Sequence, residues 1–165
     1  MLVIKFGVLT ISDRSARGER PDASGPALEA TIIAHGWEVI DKHILPDDQQ
    51  VIQKLLTNLA DNGEVDIILT TGGTGFSQRD VTPEATLSVV SRLAPGLAEA
   101  MRSASLTITP HAMLSRAVAG IRGKTLIINL PGSPKAAVEN LKVIMPVLEH
   151  AVQLLQDDPA GESSH

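Results

Sequence analysis

An apolar run that ends in a cluster of glycines constrains the fold of this chain more than any other stretch. Residues 65–69 read Val-Asp-Ile-Ile-Leu, a mostly apolar and β-branched pattern that is typical of a strand buried on both faces. Residues 70–75 read Thr-Thr-Gly-Gly-Thr-Gly and end that strand. The glycines permit positive φ angles and let a ligand approach the backbone closely, because they carry no Cβ.

A helix start follows this glycine loop, defined here as residues 72–75. Thr82 has the side chain of a helix N-cap, and Pro83 suits the first helical position, where its missing N–H costs nothing. A strand–loop–helix unit in an α/β sheet places the loop at the carboxyl edge, where ligands bind. The exposed N–H groups of such a loop favour an anion, for example a phosphate.

The loop fits neither of the two common nucleotide motifs. It lacks the Gly-Lys-Ser/Thr ending of an ordinary P-loop, and its spacing differs from the G-x-G-x-x-G dinucleotide fingerprint. Residues 77–80, Ser-Gln-Arg-Asp, form a polar segment between the glycine loop and the helix cap. A purely structural connection would be shorter, so the polar segment indicates a functional role.

Strand and helix patterns alternate along the rest of the chain. Strands are predicted at residues 2–11, 37–44, 117–121 and 124–129, the last two as a tight hairpin. Helices are predicted from near residue 26 to 36, after residue 48, at 83–93, at 95–104 and at 134–155. Pro146 should break or kink the last helix. Residues 15–22 are predicted to be an irregular loop, and residues 105–116 show no firm periodicity.

This alternation predicts an α/β fold: a three-layer α/β/α sandwich whose sheet is mainly parallel with one antiparallel strand. Parallel strands bring their carboxyl ends to one edge. Polar residues follow several of the predicted strands, at residues 12–14, 47–48, 72–80 and 129–135. We therefore expect a site at this edge, and its acidic members suggest a hard cation such as Mg²⁺ held by carboxylates and substrate phosphates.

Composition narrows the function classes. The 165 residues suit a single domain, placed at residues 1–156, with a polar, disordered tail at 157–165. Because the chain has no cysteine, thiol chemistry, disulfides and Cys-ligated zinc are excluded. A formal net charge of −5 and only two Phe, one Trp and no Tyr argue against nucleic-acid binding. No leader or membrane-spanning run is recognised, so a cytoplasmic protein without a membrane partner is expected.

Four motifs resemble those of the molybdopterin adenylyltransferase family, which includes the bacterial Mog-type enzymes and the G domains of plant Cnx1 and gephyrin. They are Thr-Thr-Gly-Gly-Thr-Gly, Arg-Asp-Val-Thr-Pro-Glu-Ala-Thr, Met-Leu-Ser-Arg-Ala and Asn-Leu-Pro-Gly-Ser-Pro-Lys. The resemblance extends from residue 4 to about residue 155. It implies Mg²⁺-dependent transfer of AMP from ATP to the terminal phosphate of molybdopterin, a homotrimer, and hand-over of the product to the molybdenum-insertion enzyme.

The resemblance also implies roles for individual residues. Asp47 and Asp80 match the family's catalytic acidic positions, where they would hold Mg²⁺, and Thr74 joins them as a catalytic candidate. The nucleotide and its phosphates are assigned to Ser12, Asp13, Gly72, Gly73, Thr74, Gly75, Asn129, Pro131 and Gly132. Molybdopterin is assigned to Ser105, Ser115 and Arg116.

Simpler interpretations remain for several of these residues. Asp48 is expected to cap the following helix rather than bind a ligand, and Asp80 close to a helix start could stabilise that terminus. Arg116 could pair with a surface carboxylate. Two other functions also remain open: a non-catalytic molybdopterin carrier or scaffold, and a nucleotide-binding domain without pterin chemistry.

Overall fold

One six-stranded sheet organises the computed structural model, which describes residues 1–157. The predicted tail at 157–165 lies outside the described residues, apart from Asp157. The strands are β1 Lys5–Ile11, β2 Glu38–Leu45, β3 Ile67–Thr71, β4 Arg92–Leu93, β5 Ala119–Arg122 and β6 Thr125–Leu130. The helices are α1 Asp13–Ala16, α2 Ser24–Ala34, α3 Gln49–Asn62, α4 Thr82–Val89, α5 Pro95–Leu106 and α6 Pro134–Leu155, with a 3₁₀ turn at Pro110–Leu114.

The sheet has the order β2-β1-β3-β6-β5-β4. Strands β2, β1, β3 and β6 are parallel, whereas β5 runs antiparallel to both of its neighbours, β6 and β4. The predicted sheet, mainly parallel with one antiparallel strand, is therefore confirmed. The carboxyl ends of the four parallel strands lie at one edge, where α/β proteins bind their ligands.

Two apolar clusters cover the two faces of the sheet, which makes three layers. Alternate residues of β1 divide between them: Phe6 and Val8 pack with helices α2, α5 and α6, and Leu9 and Ile11 pack with α3 and α4. A strand that points apolar side chains to both faces must be covered on both, as parallel strands are. Among residues 1–157, no helix is long and apolar enough to cross a membrane.

The segment after α4 differs from the prediction. A helix was predicted through Leu93, but α4 ends at Val89, and Arg92–Leu93 forms the edge strand β4. The reason is tertiary pairing: the Ser91 N–H donates to the Ile121 carbonyl, and the Ala94 N–H donates to the Ala119 carbonyl. Hydrogen bonds to a neighbouring strand outweigh the local preference for helix.

The start of α4 also differs. Thr82 was predicted to be the N-cap, but it is the first helical residue, and Val81 occupies the cap position without a side-chain bond. The Thr82 hydroxyl instead donates to the Gly72 carbonyl at 3.0 Å. Pro83, predicted at the first helical position, is the second residue of the helix. The buried Thr82 therefore ties the helix to the glycine loop.

Two further segments differ from the prediction, and the break predicted at Pro146 is absent although the bounds of the last helix are as predicted. Helix α2 begins at Ser24, because the Asp22 carboxylate accepts the Gly25 N–H at 3.1 Å and starts the turn before Pro26. Residues Asp13–Ala16 form the short helix α1, capped by Ser12, partly within the predicted loop. Helix α6 continues through Pro146, since its buried face packs on the sheet on both sides of the proline.

Candidate active site

A cavity of about 730 Å³ opens at the carboxyl edge of the parallel strands. Polar residues that follow β1, β2, β3 and β6 line it, so the predicted convergence of these segments is observed. Its aspartates are Asp13, Asp22, Asp47 and Asp80. Its arginines are Arg14, Arg20 and Arg79. We call this the acidic cavity.

The glycine loop forms the floor of the acidic cavity through Gly72 and Gly73. Both residues adopt positive φ angles, +101° and +68°. A Cβ on Gly72 would run into the Ile11 carbonyl oxygen, and one on Gly73 would run into the Thr82 hydroxyl. Only glycine satisfies both the backbone conformation and the close packing at these positions.

Asp13 and Asp47 exchange hydrogen bonds across the ends of β1 and β2. The Asp13 N–H donates to Asp47 Oδ2 at 2.9 Å, and the Asp47 N–H donates to Asp13 Oδ1 at 3.0 Å. The neighbouring Asp48 caps α3 by accepting the N–H groups of Gln50 and Val51. The two adjacent aspartates therefore differ in role, and the predicted cap at Asp48 is observed.

Asp47 and Asp80 both lie against the glycine loop. A Cβ on Gly73 would lie 3.1 Å from Asp47 Oδ1, and a Cβ on Gly75 would lie 2.9 Å from Asp80 Oδ2. Burial raises the pKa of Asp47, and the nearby carboxylates of Asp13 and Asp80 raise it further. This unfavourable concentration of negative charge is the environment that a bound cation would stabilise.

Two carboxylates suit Mg²⁺, which usually binds one or two protein carboxylates and completes its shell with phosphate and water oxygens. Within residues 1–157, no group of three or more His, Cys, Asp or Glu side chains is arranged to hold a metal. The donors present therefore fit a cation shared with a phosphate ligand. They do not fit a structural metal enclosed by protein side chains.

Arg79 forms a two-pronged ion pair with Asp13. Its Nε and one terminal nitrogen each donate to an Asp13 carboxylate oxygen at 2.9 Å. The guanidinium holds the pKa of Asp13 below its usual range. Sequence reasoning did not select Arg79 as a site residue, although the polar segment that carries it was recognised. Exposed at the cavity wall, the guanidinium is available to a phosphate.

A second cavity of about 280 Å³ lies on the other side of the glycine loop. Its lining is mainly apolar, with Met101, Ile108 and Leu114 among its members, and we call it the apolar cavity. Ser105 and Ser115, predicted on the pterin side, both line it. Both hydroxyls accept hydrogen bonds there, Ser105 from the Asn140 amide at 3.1 Å and Ser115 from the Ala117 N–H at 3.3 Å.

The predicted nucleotide residues divide between the two cavities. Thr74, Gly75 and Pro131 line the apolar cavity, whereas Ser12, Asp13, Gly72, Gly73 and Gly132 line the acidic cavity. The glycine loop and the Pro131–Gly132 turn therefore separate the two spaces. This division is not visible in the sequence, because the first two residues of the glycine loop line one cavity and the next two line the other.

Asn129 and Arg116, predicted to bind the nucleotide and molybdopterin, line neither cavity. Asn129 is fully buried, and its amide donates to the hydroxyls of Thr70 and Thr86 at 2.9 Å each, so it supports the core instead of lining a cavity. The Arg116 guanidinium binds the carbonyl oxygens of Gly75 and Asp80 and pairs with Glu84. It belongs to the wall behind the glycine loop.

Comparison with known proteins places these features in a family. Residues 7–150 match the family described as probable molybdopterin binding domain. The chain is 42% identical over 157 residues to a molybdopterin adenylyltransferase of Helicobacter pylori, covering 94% of this chain and 89% of that protein. It is 45% identical over 163 residues to gephyrin of Dictyostelium discoideum, covering 93% of this chain and 23% of gephyrin.

Solved structures agree with this relationship. The crystal structure of the molybdopterin biosynthesis enzyme MoaB from Thermus thermophilus superposes with a TM-score of 0.89 at 48% sequence identity. The match covers 95% of this chain and 99% of that structure. The α/β architecture and its strand arrangement are therefore those of a solved relative.

Proposed function

Because the chain belongs to the molybdopterin adenylyltransferase family, a family of enzymes of molybdenum cofactor biosynthesis, we propose that it transfers AMP from ATP to molybdopterin. A terminal phosphate oxygen of molybdopterin would attack the α-phosphorus of ATP. The bond between the α-phosphorus and the bridging oxygen to the β-phosphate would break, and pyrophosphate would leave. We assign this activity to the single domain at residues 1–156.

One observation carries the proposal: two cavities of different chemistry meet at one glycine loop. Gly72 and Gly73 face the acidic cavity, while Thr74 and Gly75 face the apolar cavity. A charged triphosphate suits the first space and an uncharged ring system suits the second. Joining two substrates requires their reacting groups to meet, and a shared loop wall allows this at the boundary.

The acidic cavity offers both signs of charge to a triphosphate. The guanidinium of Arg79 and the Gly73 N–H can bind phosphate oxygens without reorganising, whereas the Gly72 N–H already donates to the Leu130 carbonyl at 3.1 Å. Asp47 and Asp80 would hold Mg²⁺, which when bound reduces the repulsion between the two phosphates. Carboxylates alone would repel a triphosphate, so their presence supports the cation.

The apolar cavity would take the pterin. Its apolar side chains can pack against a ring, and the hydroxyls of Ser105 and Ser115 can bind polar atoms of the substrate. Thr74 lines the apolar cavity next to Gly73 of the acidic cavity, and this supports its assignment to the point where the reacting phosphates would meet. A covalent enzyme intermediate is not required, because the attacking oxygen belongs to the substrate and the protein only has to align it.

The direct test is AMP transfer from ATP labelled at the α-phosphate to molybdopterin. The expected result is labelled adenylyl-molybdopterin together with pyrophosphate, dependent on Mg²⁺. Molybdopterin binding without transfer would instead identify a carrier or scaffold. Binding of ATP without pterin binding would identify a nucleotide-binding domain and contradict the proposal.

We also propose a homotrimer in the cytoplasm that passes its product to a molybdenum-insertion enzyme. Large apolar side chains support an oligomer: Phe76, Ile108 and Met113 are each at least 60% exposed. Ile108 lines the apolar cavity, and the other two are sequence neighbours of residues that do. Apolar surface of this kind is typical of a protein interface.

A further inference from the structure

We infer that Arg116 is a positioning residue, which aligns the walls of the two cavities from behind and does not bind molybdopterin. The inference rests on the proposed transfer reaction and deepens it. Arg116 follows Ser115 directly, and the resemblance had assigned both to the pterin. The structure separates them: Ser115 lines the apolar cavity, whereas the Arg116 side chain binds the protein backbone.

The Arg116 guanidinium joins three parts of the site. Its Nε donates to the Gly75 carbonyl at 2.7 Å, and a terminal nitrogen donates to the Asp80 carbonyl at 2.8 Å. Its other terminal nitrogen binds the Glu84 carboxylate in the first turn of α4. The Arg116 backbone N–H adds a bond to the Thr74 carbonyl at 2.8 Å.

These contacts fix the two ends of a segment that lacks regular structure. Residues 74–80 contain no helix or strand, and the side chains of residues 76–79 are exposed. Local bonds shape the turn at its far end: the Asp80 N–H donates to the Ser77 carbonyl, and the Ser77 N–H donates to the Asp80 carboxylate. Arg116 attaches that preformed turn to the body of the domain.

The two carbonyls that Arg116 holds belong to different cavities. Gly75 lines the apolar cavity and Asp80 lines the acidic cavity. The rigid, planar guanidinium therefore sets the distance between the wall of the apolar cavity at Gly75 and the Asp80 carboxylate, which is proposed to hold Mg²⁺. The Glu84 partner keeps the guanidinium oriented, and the ion pair lowers the pKa of Glu84.

Loss of this support should reduce the rate of transfer more than the binding of either substrate. Misplacement of a reacting group by about 1 Å costs roughly 100-fold in rate. We therefore expect Arg116→Ala to lower kcat by about 100-fold while each KM changes by less than about threefold. Arg116→Lys should restore part of kcat, because one ammonium can bind one or two of the carbonyls but cannot span all three partners.

Arg122 is a matched control. It also pairs with a carboxylate, Asp61, and donates to a backbone carbonyl, that of Val89, but it lines neither cavity. The two arginines are similarly exposed, at 31% for Arg122 and 34% for Arg116. Arg122→Ala should therefore lower the melting temperature to a similar extent and leave kcat unchanged.

Amide hydrogen exchange supplies a readout that does not depend on catalysis. Exchange at residues 74–80 should accelerate in Arg116→Ala but not in Arg122→Ala. Unchanged exchange there, an equal loss of kcat in both variants, or a selective loss of molybdopterin affinity with normal kcat would overturn the inference. If the unaltered protein transfers no AMP, the proposed function fails, and the exchange result still decides whether Arg116 holds the loop.

Discussion

Asp13 and Asp47 each accept a hydrogen bond from the backbone N–H of the other, at 3.0 Å and 2.9 Å. This exchange joins the ends of β1 and β2 and fixes both carboxylates at the cavity wall. Asp13 is further bound by the Arg79 guanidinium, whereas Asp47 directs Oδ1 towards the glycine loop. Of the two, Asp47 is therefore the better placed to share a cation with a phosphate.

The first prediction concerns Asp80→Asn. The amide keeps a carbonyl oxygen to accept the Ser77 N–H, which the carboxylate now accepts at 3.0 Å, but it loses the charge that would hold Mg²⁺. AMP transfer should fall by about 100-fold or more. It should recover in part at high Mg²⁺, and molybdopterin affinity should stay nearly unchanged. A Mg²⁺ titration of the transfer rate measures this.

Asp48→Asn is the control for that variant. Asp48 caps α3 through Oδ1, and asparagine caps a helix about as well as aspartate. This change should leave both the transfer rate and the melting temperature unaltered. Transfer at the parental rate by Asp80→Asn in limiting Mg²⁺ would show that the metal is held elsewhere.

The second prediction concerns Ser115→Ala, which should weaken molybdopterin binding more than ATP binding. The Ser115 hydroxyl lines the apolar cavity, and one lost hydrogen bond to a charged group costs about 1.5–3 kcal/mol. Calorimetric titration with each ligand measures the difference. Ser88→Ala, which removes a hydroxyl bound to the Ala85 carbonyl outside both cavities, should change neither affinity. Equal molybdopterin affinity in Ser115→Ala and the parent would refute the assignment.

The third prediction links Asp47 to stability. Its folded-state pKa is raised above the unfolded value of 3.8, chiefly by burial, so ionisation of Asp47 disfavours folding. The free energy of unfolding should therefore fall as pH rises from the unfolded pKa through the folded pKa. Asp47→Asn keeps an oxygen for the Asp13 N–H and removes the charge. Without Mg²⁺, this variant should be more stable than the parent at pH 7.

The advantage of Asp47→Asn should disappear as the pH falls well below the unfolded value of 3.8, where the parent's carboxyl is protonated in both states. Chemical denaturation at a series of pH values tests this sign. The same variant should transfer AMP about 100-fold more slowly at pH 7. A variant less stable than the parent at pH 7 would mean that the Asp47 charge stabilises the fold.

The fourth prediction is the homotrimer. Light scattering at micromolar concentration should report particles of about three times the 17.4 kDa chain mass. Replacing the exposed Phe76 by Ser should shift the population towards smaller species, because exposed apolar side chains drive association. Particles of single-chain mass in the parent protein would contradict the prediction.

Local pattern was sufficient for most of the architecture. The alternation of apolar runs with capped helices predicted the parallel sheet and its antiparallel strand. The local pattern gave wrong predictions where pairing or packing with residues distant in the sequence outweighs the local preference. Arg92 and Leu93 continue a helical pattern in the sequence but pair with β5, and Pro146 lies inside an uninterrupted α6.

For the site, the sequence alone determined which residues reach the carboxyl edge of the sheet. A loop that follows a strand begins at the carboxyl end of that strand, and parallel strands bring those ends to the same edge. Tertiary structure decided what those residues touch. Sheet register sets Thr71 beside Leu130, so the Thr71 hydroxyl reaches the Pro131 carbonyl at 2.7 Å, and two loops distant in sequence become one wall. Likewise, Asn129 turns into the core and Arg116 turns behind the glycine loop, since partners that lie 32 to 59 residues away have no signature in the local pattern.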